Sequence, residues 1–210
     1  MITNLFSTKL STKIVQAIPA LVQVETGVWQ EVVIGIDPGA SGAITVLNAV
    51  THEVVEIIDM PNYRIDSKGS AAHGKLRVSP NCLALRLKKY RGSRCCIEKV
   101  GSRPGNALGA TFAFGQAFGV VLGVCAALDM YIHTVRPQDW IKHFGEEIVD
   151  GNDKKCHRLA AQARFGKVGE MFKRLRDDGR ADSALIALYY INNASKYSDN
   201  LQCIQNELSW

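Results

Sequence analysis

Between Lys68 and Arg94 the chain carries no acidic residue, although Lys68, Lys75, Arg77, Arg86, Lys88, Lys89, Arg91 and Arg94 all fall there. So one-sided a block reads as a surface for a polyanion, or more plainly as a solvated helix face followed by a basic loop. Cysteine pairing signals are lacking as well. Cys82, Cys95, Cys96, Cys125, Cys156 and Cys203 form no CxxC pair and no Cys/His zinc spacing, which argues against a zinc module and for a reducing, intracellular compartment. Adjacent Cys95 and Cys96, in an expected strand, point to opposite faces and suit packing better than a shared disulfide. Residues 1–24 contain neither an acidic residue nor an arginine, and Gln16 and Pro19 interrupt their apolar part, so neither an organellar address nor a secretory leader is supported. No stretch reads as long and apolar enough to span a membrane. Internal repeats and low-complexity tracts are missing too.

What is present is enough for one well-buried core. The chain has 210 residues, 47% of them hydrophobic, and a mild net charge of +5; these describe a globular α/β chain with room for extensions and not for a second domain. We divide it into an N-terminal extension over 1–29, helical through Ile14, Ile18 and Leu21, a folded domain over 30–193, and a polar C-terminal tail over 194–210. The apolar runs Glu31–Asp37, Ala43–Leu47 and Val54–Ile58 read as an antiparallel meander, and Arg94–Glu98 and Tyr131–Val135 as further strands. Asn62–Val78, polar, basic and glycine-containing, reads as a loop. Helices are expected from Ser79 to Tyr90, from Asn106 to Leu128, and through most of the remainder. Gly115, Gly119 and Gly123 lie one turn apart on the second of these, which lets another backbone approach closely. The resulting order is a mixed five-stranded sheet flanked by helices.

Two acidic residues stand alone at the ends of apolar strands, Asp37 in VVIGIDPGASGAITVL and Glu98 in CCIEKV. Crowded carboxylates repel and raise one another's pKa unless a hard cation compensates them, so these are candidate metal ligands. Taken singly, Asp37 could form a structural Asx turn and Glu98 could cap its strand in solvent. In DDGRADSALIALYY, Asp178 and Asp182 are spaced i, i+4 and stack on one helical face, where the apolar run Ala184–Tyr190 would anchor them to the core. Asp177 points elsewhere around that helix.

Taken together, IDPGASGA, IEKV, GATFAFGQAFGVVLG, PQDWIKHFG, DKK and DGRADSALIALYY resemble the RuvC-type Holliday junction resolvases, in their bacterial, phage-like and organellar branch. The resemblance covers roughly residues 31–193. It implies a ribonuclease H-like fold, a homodimer, and metal-dependent cleavage of four-way DNA junctions by paired symmetric nicks, with no nucleotide cofactor and no membrane. Position by position, Asp37 matches the family's first-strand aspartate, Glu98 its fourth-strand glutamate, Asp182 the acidic residue of its last helix and Asp178 the fourth metal-site position. Two Mg²⁺ ions about 4 Å apart, replaceable by Mn²⁺, would activate water and receive the departing 3′ oxygen. Lys142 and Lys154 or Lys155 match basic positions near the cleft, Lys142 and Lys155 being the ones assigned to catalysis. Lys75, Arg77, Lys99, Arg103, Lys142, Lys154, Lys155 and Arg158 are the expected DNA contacts. The implied location is cytoplasmic in a bacterial or phage-like setting, with an organellar one also open.

The chain departs from the family's best-studied branch after Glu98. An aromatic wedge is expected there, and the residues present are Lys99, Val100, Gly101, Ser102, Arg103, Pro104 and Gly105. Phe112 and Phe114 could substitute, but are assigned to the core. His143 and His157 are assigned to solvated or DNA-facing positions. A sugar-kinase or actin-like ATPase also has a strand ending in DxG, but needs a second domain and another phosphate loop. A non-cleaving binder of branched DNA, or a nuclease of this fold with another substrate such as an RNA–DNA hybrid, remains as an alternative.

Overall fold

A computed structural model of the chain describes residues 21–23, 29–67, 70–99, 101, 107–151 and 153–196. In chain order its elements are β1 (Leu21–Gln23), β2 (Trp29–Ile36), β3 (Ala43–Asn48), β4 (Val54–Asp59), β5 (Asn62–Ser67), β6 (Ser70–Val78), α1 (Pro80–Leu87), β7 (Arg94–Glu98), α2 (Leu108–Ala127), β8 (Tyr131–Val135), α3 (Pro137–His143), α4 (Lys154–Arg164) and α5 (Asp178–Asn192). Strands line up as β4-β3-β2-β7-β8, with β1 added beside β2. The meander β2-β3-β4 is antiparallel, whereas β7 and β8 join β2 in parallel. Helices cover both faces, as expected of a mixed five-stranded sheet flanked by helices.

Alternation along the central strands produces the two cores. Val32, Ile34 and Ile36 pack with Leu83 and Leu87 of α1 and with Ala117, Val121 and Cys125 of α2. Val33, on the opposite face of β2, packs with Trp140, Phe144, Ala161 and the buried run of α5. Cys95 and Cys96 divide in the same way, one per face, as a two-residue period requires. Gly35 is where α5 rests on the sheet. A Cβ there would lie 2.0 Å from the Ser183 carbonyl oxygen and 2.5 Å from the Ala187 nitrogen, so only glycine admits the helix. One step away, the Thr45 and Ser183 hydroxyls bond at 2.8 Å.

Local signals explain the element ends. Ser79 caps α1 by accepting from the Cys82 N–H, and Pro80 occupies the first turn, a position where its missing N–H costs nothing. Gly92 follows the helix with φ of 74°, a left-handed turn suited to glycine. Asp153 caps α4 by accepting from the Lys155 N–H at 2.8 Å.

Several expectations are corrected. Asn62–Val78 is not a loop but the hairpin β5–β6, paired from Asn62↔Val78 to Ser67↔Ser70. Its pairing is carried by backbone hydrogen bonds; Tyr63 and Ile65 stay exposed and, among its described side chains, Val78 alone is buried, so no apolar alternation marks it in the sequence. Leu21 belongs to a strand rather than a helix and pairs with Glu31; Ile14 and Ile18 lie outside the described residues. Phe112 and Phe114 are not core residues: they are 72% and 39% exposed, while Ala117, Val121 and Cys125 form the buried stripe of α2. Because α2 is apolar almost all round, residue type could not reveal which face turns inward. The same uniformity makes α2 long and apolar enough, by length and composition alone, to cross a bilayer, contrary to expectation. Gly115, Gly119 and Gly123 face open space, with nothing within 4 Å of a Cβ built on them.

Candidate carboxylate site

The parallel pairing of β2 with β7 puts Ile36 beside Ile97, so the residues that follow, Asp37 just past β2 and Glu98 at the end of β7, stand at the carboxyl ends of neighbouring strands. The turn after β2 closes tightly on Asp37. Its Oδ1 accepts from the Gly39 N–H at 3.2 Å, and a Cβ on Gly42 would stand 2.2 Å from the Asp37 carbonyl oxygen. The local Asx-type bond therefore exists, and the carboxylate also serves a larger group.

That group is completed by α5, which Gly35 lets down onto β2. Asp182 is 2% exposed. Its Oδ1 is 2.7 Å from His157 Nδ1 and its Oδ2 is 2.5 Å from Lys154 Nζ. Glu98 does not cap its strand in solvent. It is partly buried, and its Oε1 accepts from the Trp140 indole N–H at 3.0 Å. His157 Nε2 lies 3.2 Å from the Gly151 carbonyl oxygen. Carbonyl and carboxylate oxygens only accept, so a ring N–H that bonds to either of them comes from His157.

Burial, then the charges of Asp182 and Glu98, pushes the Asp37 pKa up to about 7, against the Gly39 hydrogen bond and Lys154. Glu98 is also raised, by burial first and by Asp182, while Trp140, Lys154 and His157 oppose the shift. Burial works against the charge of Lys154, yet Asp182, with Glu98 and Asp37 behind it, holds that ammonium above the ordinary lysine range. Three carboxylates thus act on one another, and the cation they share is Lys154.

The other expected site residues fall outside this group. Asp178 is ion-paired with Arg158, whose side chain is 8% exposed and turned inward. Lys155 and Lys142 are exposed on α4 and α3, and Lys142 acts electrostatically on Asp139. Lys75 and Lys99 are exposed; Arg77 is partly buried and donates to the Leu76 carbonyl at 2.9 Å. Arg103 lies outside the described residues. Asp177 is a structural residue, buried and bonded to the Arg174 backbone and guanidinium. His143 is exposed as expected, close to Asn192.

His157 is the opposite of its expected solvated position, being fully buried. Its spacing from Ala160 and Ala161 on the inward face of α4 was the available signal. Trp140 belonged to a recognised motif, but nothing local indicated that its N–H reaches Glu98, a residue on another element.

Among the described residues, no three of His, Cys, Asp and Glu stand together as a ready-made ligand set. The donor chemistry nonetheless suits a hard divalent cation: oxygen ligands only, mutually repelling, and already facing a positive charge. Asp37, Glu98 and Asp182 are the residues that would hold it.

An α/β domain with carboxylates at the carboxyl ends of adjacent parallel strands is thus defined. Solved structures of similar fold include Thermus thermophilus RuvC in complex with a Holliday junction substrate, with TM-score 0.49 and 20% identity over 79% of this chain and 95% of that one. Another structure of Thermus thermophilus RuvC has TM-score 0.48 and 18% identity over 80% and 97%. The yeast mitochondrial Holliday junction resolvase Ydc2 has TM-score 0.42 and 12% identity over 90% and 87%. No family model matches the chain, and no curated protein does.

Proposed function

We propose that this protein is a structure-selective endodeoxyribonuclease that resolves four-way DNA junctions by paired, metal-dependent hydrolysis of phosphodiester bonds. The observation that carries this reading is the mutual coupling of Asp37, Glu98 and Asp182 from β2, β7 and α5, residues that also carry the motif resemblance. Divalent ions bound there, Mg²⁺ or Mn²⁺, would supply Lewis-acid activation of water and charge neutralisation at the leaving oxygen. The chain's own residues do the rest. His157 and Trp140 orient Asp182 and Glu98 through their N–H groups, as outer partners of metal ligands do. Lys75, Lys99, Lys142 and Lys155, exposed and cationic, meet the DNA backbone and set register rather than sequence. Asp178, committed to Arg158, is the member of the ligand set that the site can do without. Two copies meeting through the exposed apolar face of α2 would give the symmetric pair of sites that paired nicking needs.

The test is a four-way junction and a linear duplex of the same arm sequence, each incubated with the protein in Mg²⁺. Symmetric nicks in the junction are expected, with little cutting of the duplex. Equal cutting of both would remove the structural selectivity, and tight binding without cutting in Mg²⁺ or Mn²⁺ would make the protein a binding module.

A further inference from the structure

Lys154 occupies an unusual place for an ammonium said to meet DNA. Its Nζ is 2.5 Å from Asp182 Oδ2, and the charges of Glu98 and Asp37 act on it as well. Asp182 is 2% exposed in this pair while Lys154 is 49% exposed. The anionic end is therefore fixed in the core by α5, and the cationic end is a flexible stem rooted at the first residue of α4 with open space on one side. Asp182's other oxygen is held separately by His157, so the carboxylate keeps its orientation if Lys154 leaves.

Three carboxylates gathered without a cation would repel, and burial would add the cost of desolvation. An oxygen of Asp182 engaged by an ammonium at 2.5 Å is also an oxygen withheld from any other cation. Lysine suits both tasks, being a point charge on a mobile stem rather than a rigid fork.

We propose that Lys154 is a built-in counter-cation of the carboxylate cluster, holding it assembled until divalent cations displace the ammonium, which then swings outward toward the DNA backbone. The inference rests on reading the cluster as a metal site. It makes Lys154 a competitor of the metal in the free protein, so its removal strengthens metal binding. A residue that merely stabilised the site would have the reverse effect.

Mn²⁺ titration calorimetry on the full chain without DNA tests this, comparing wild type with Lys154→Met and with Lys155→Met as a control for the loss of one positive charge on the same turn. Lys154→Met is expected to bind Mn²⁺ about tenfold tighter than wild type, and Lys155→Met less than about twofold, since exposed charges are screened. Unchanged or weaker binding by folded Lys154→Met would overturn the proposal while leaving the metal site intact. If even the wild type takes up no Mn²⁺, the underlying site reading fails and the proposal with it. Should Lys154→Met not fold, the wild type still decides the matter by NMR of its lysine ammonium groups. The Lys154 signal is expected to move with Mg²⁺ at the midpoint of binding, and a signal indifferent to saturating Mg²⁺ would refute displacement.

Discussion

His157 Nδ1 and Asp182 Oδ1 are 2.7 Å apart with both side chains almost wholly buried. The imidazole also stacks edge-on against Trp140, with ring centroids 5.2 Å apart, and Trp140 bonds to Glu98. One buried chain of contacts thus links two of the three carboxylates.

Removing the imidazole leaves the Asp182 carboxylate buried with one donor fewer. His157→Ala is expected to lose about 2–3 kcal/mol of stability, the range for leaving a buried polar acceptor one donor short. Urea denaturation at neutral pH measures it. A loss below about 1 kcal/mol would mean that the pair contributes little beyond a surface contact.

The metal-free protein should become less stable as pH rises. Asp37 has its pKa raised from an ordinary 3.8 to about 7 in the fold, so between these values the folded state holds a proton that the unfolded chain has released. Stability from the neutral carboxyl is fully present below about pH 4 and is lost as pH climbs through about 7; Glu98, also raised, adds the same sign. In EDTA, Tm is expected to fall between about pH 5.5 and 8, and Asp37→Asn to flatten that slope. A Tm that climbs over this range in wild type and variant alike would contradict the assignment. Added Mg²⁺, which needs the ionised form, should stabilise more at the upper end.

Gly35 governs how closely α5, and therefore Asp182, approaches Asp37. A methyl group at this position meets backbone atoms of Ser183 and Ala187 at 2.0 and 2.5 Å, and backbone cannot rotate away. Gly35→Ala is expected to cost about 2–3 kcal/mol, the range for overpacking a core, and to reduce junction nicking. The nicking defect should persist at temperatures where circular dichroism shows the variant folded. Full activity there would show that the spacing of α5 is not critical.

Asp37→Asn and Asp178→Asn should separate sharply. The first removes a carboxylate that answers electrostatically to Asp182 and Glu98, and junction nicking is expected to drop at least about 100-fold with junction binding retained, as for loss of a group that stabilises charge in the transition state. The second neutralises a residue paired with Arg158, and single-turnover nicking is expected to fall less than about tenfold, in the manner of a supporting contact. Equal losses would put Asp178 back among the ligands.

Much of this site was legible from residue order. Apolar runs, each closed by one carboxylate, marked β2 and β7, and the i, i+4 aspartates marked the last helix. Illegible were the roles of His157 and Trp140 and the choice between Lys154 and Lys155, because each depends on a partner far along the chain: His157 and Trp140 bond to Asp182 and Glu98, 25 and 42 residues from them. The β5–β6 hairpin was missed for a different reason, since only Val78 is buried among its described side chains and no apolar alternation marks it.

By itself, then, the sequence determined which apolar runs form the central strands, where they end and which acids stand at those ends, since these follow from local composition and the cost of burying charge. Only the tertiary structure decided which lysine meets the carboxylates, which aspartate is diverted to an arginine, and which face of α2 stays uncovered. Those outcomes turn on distances between elements remote in sequence, and on a helix so uniformly apolar that packing alone selects its buried side.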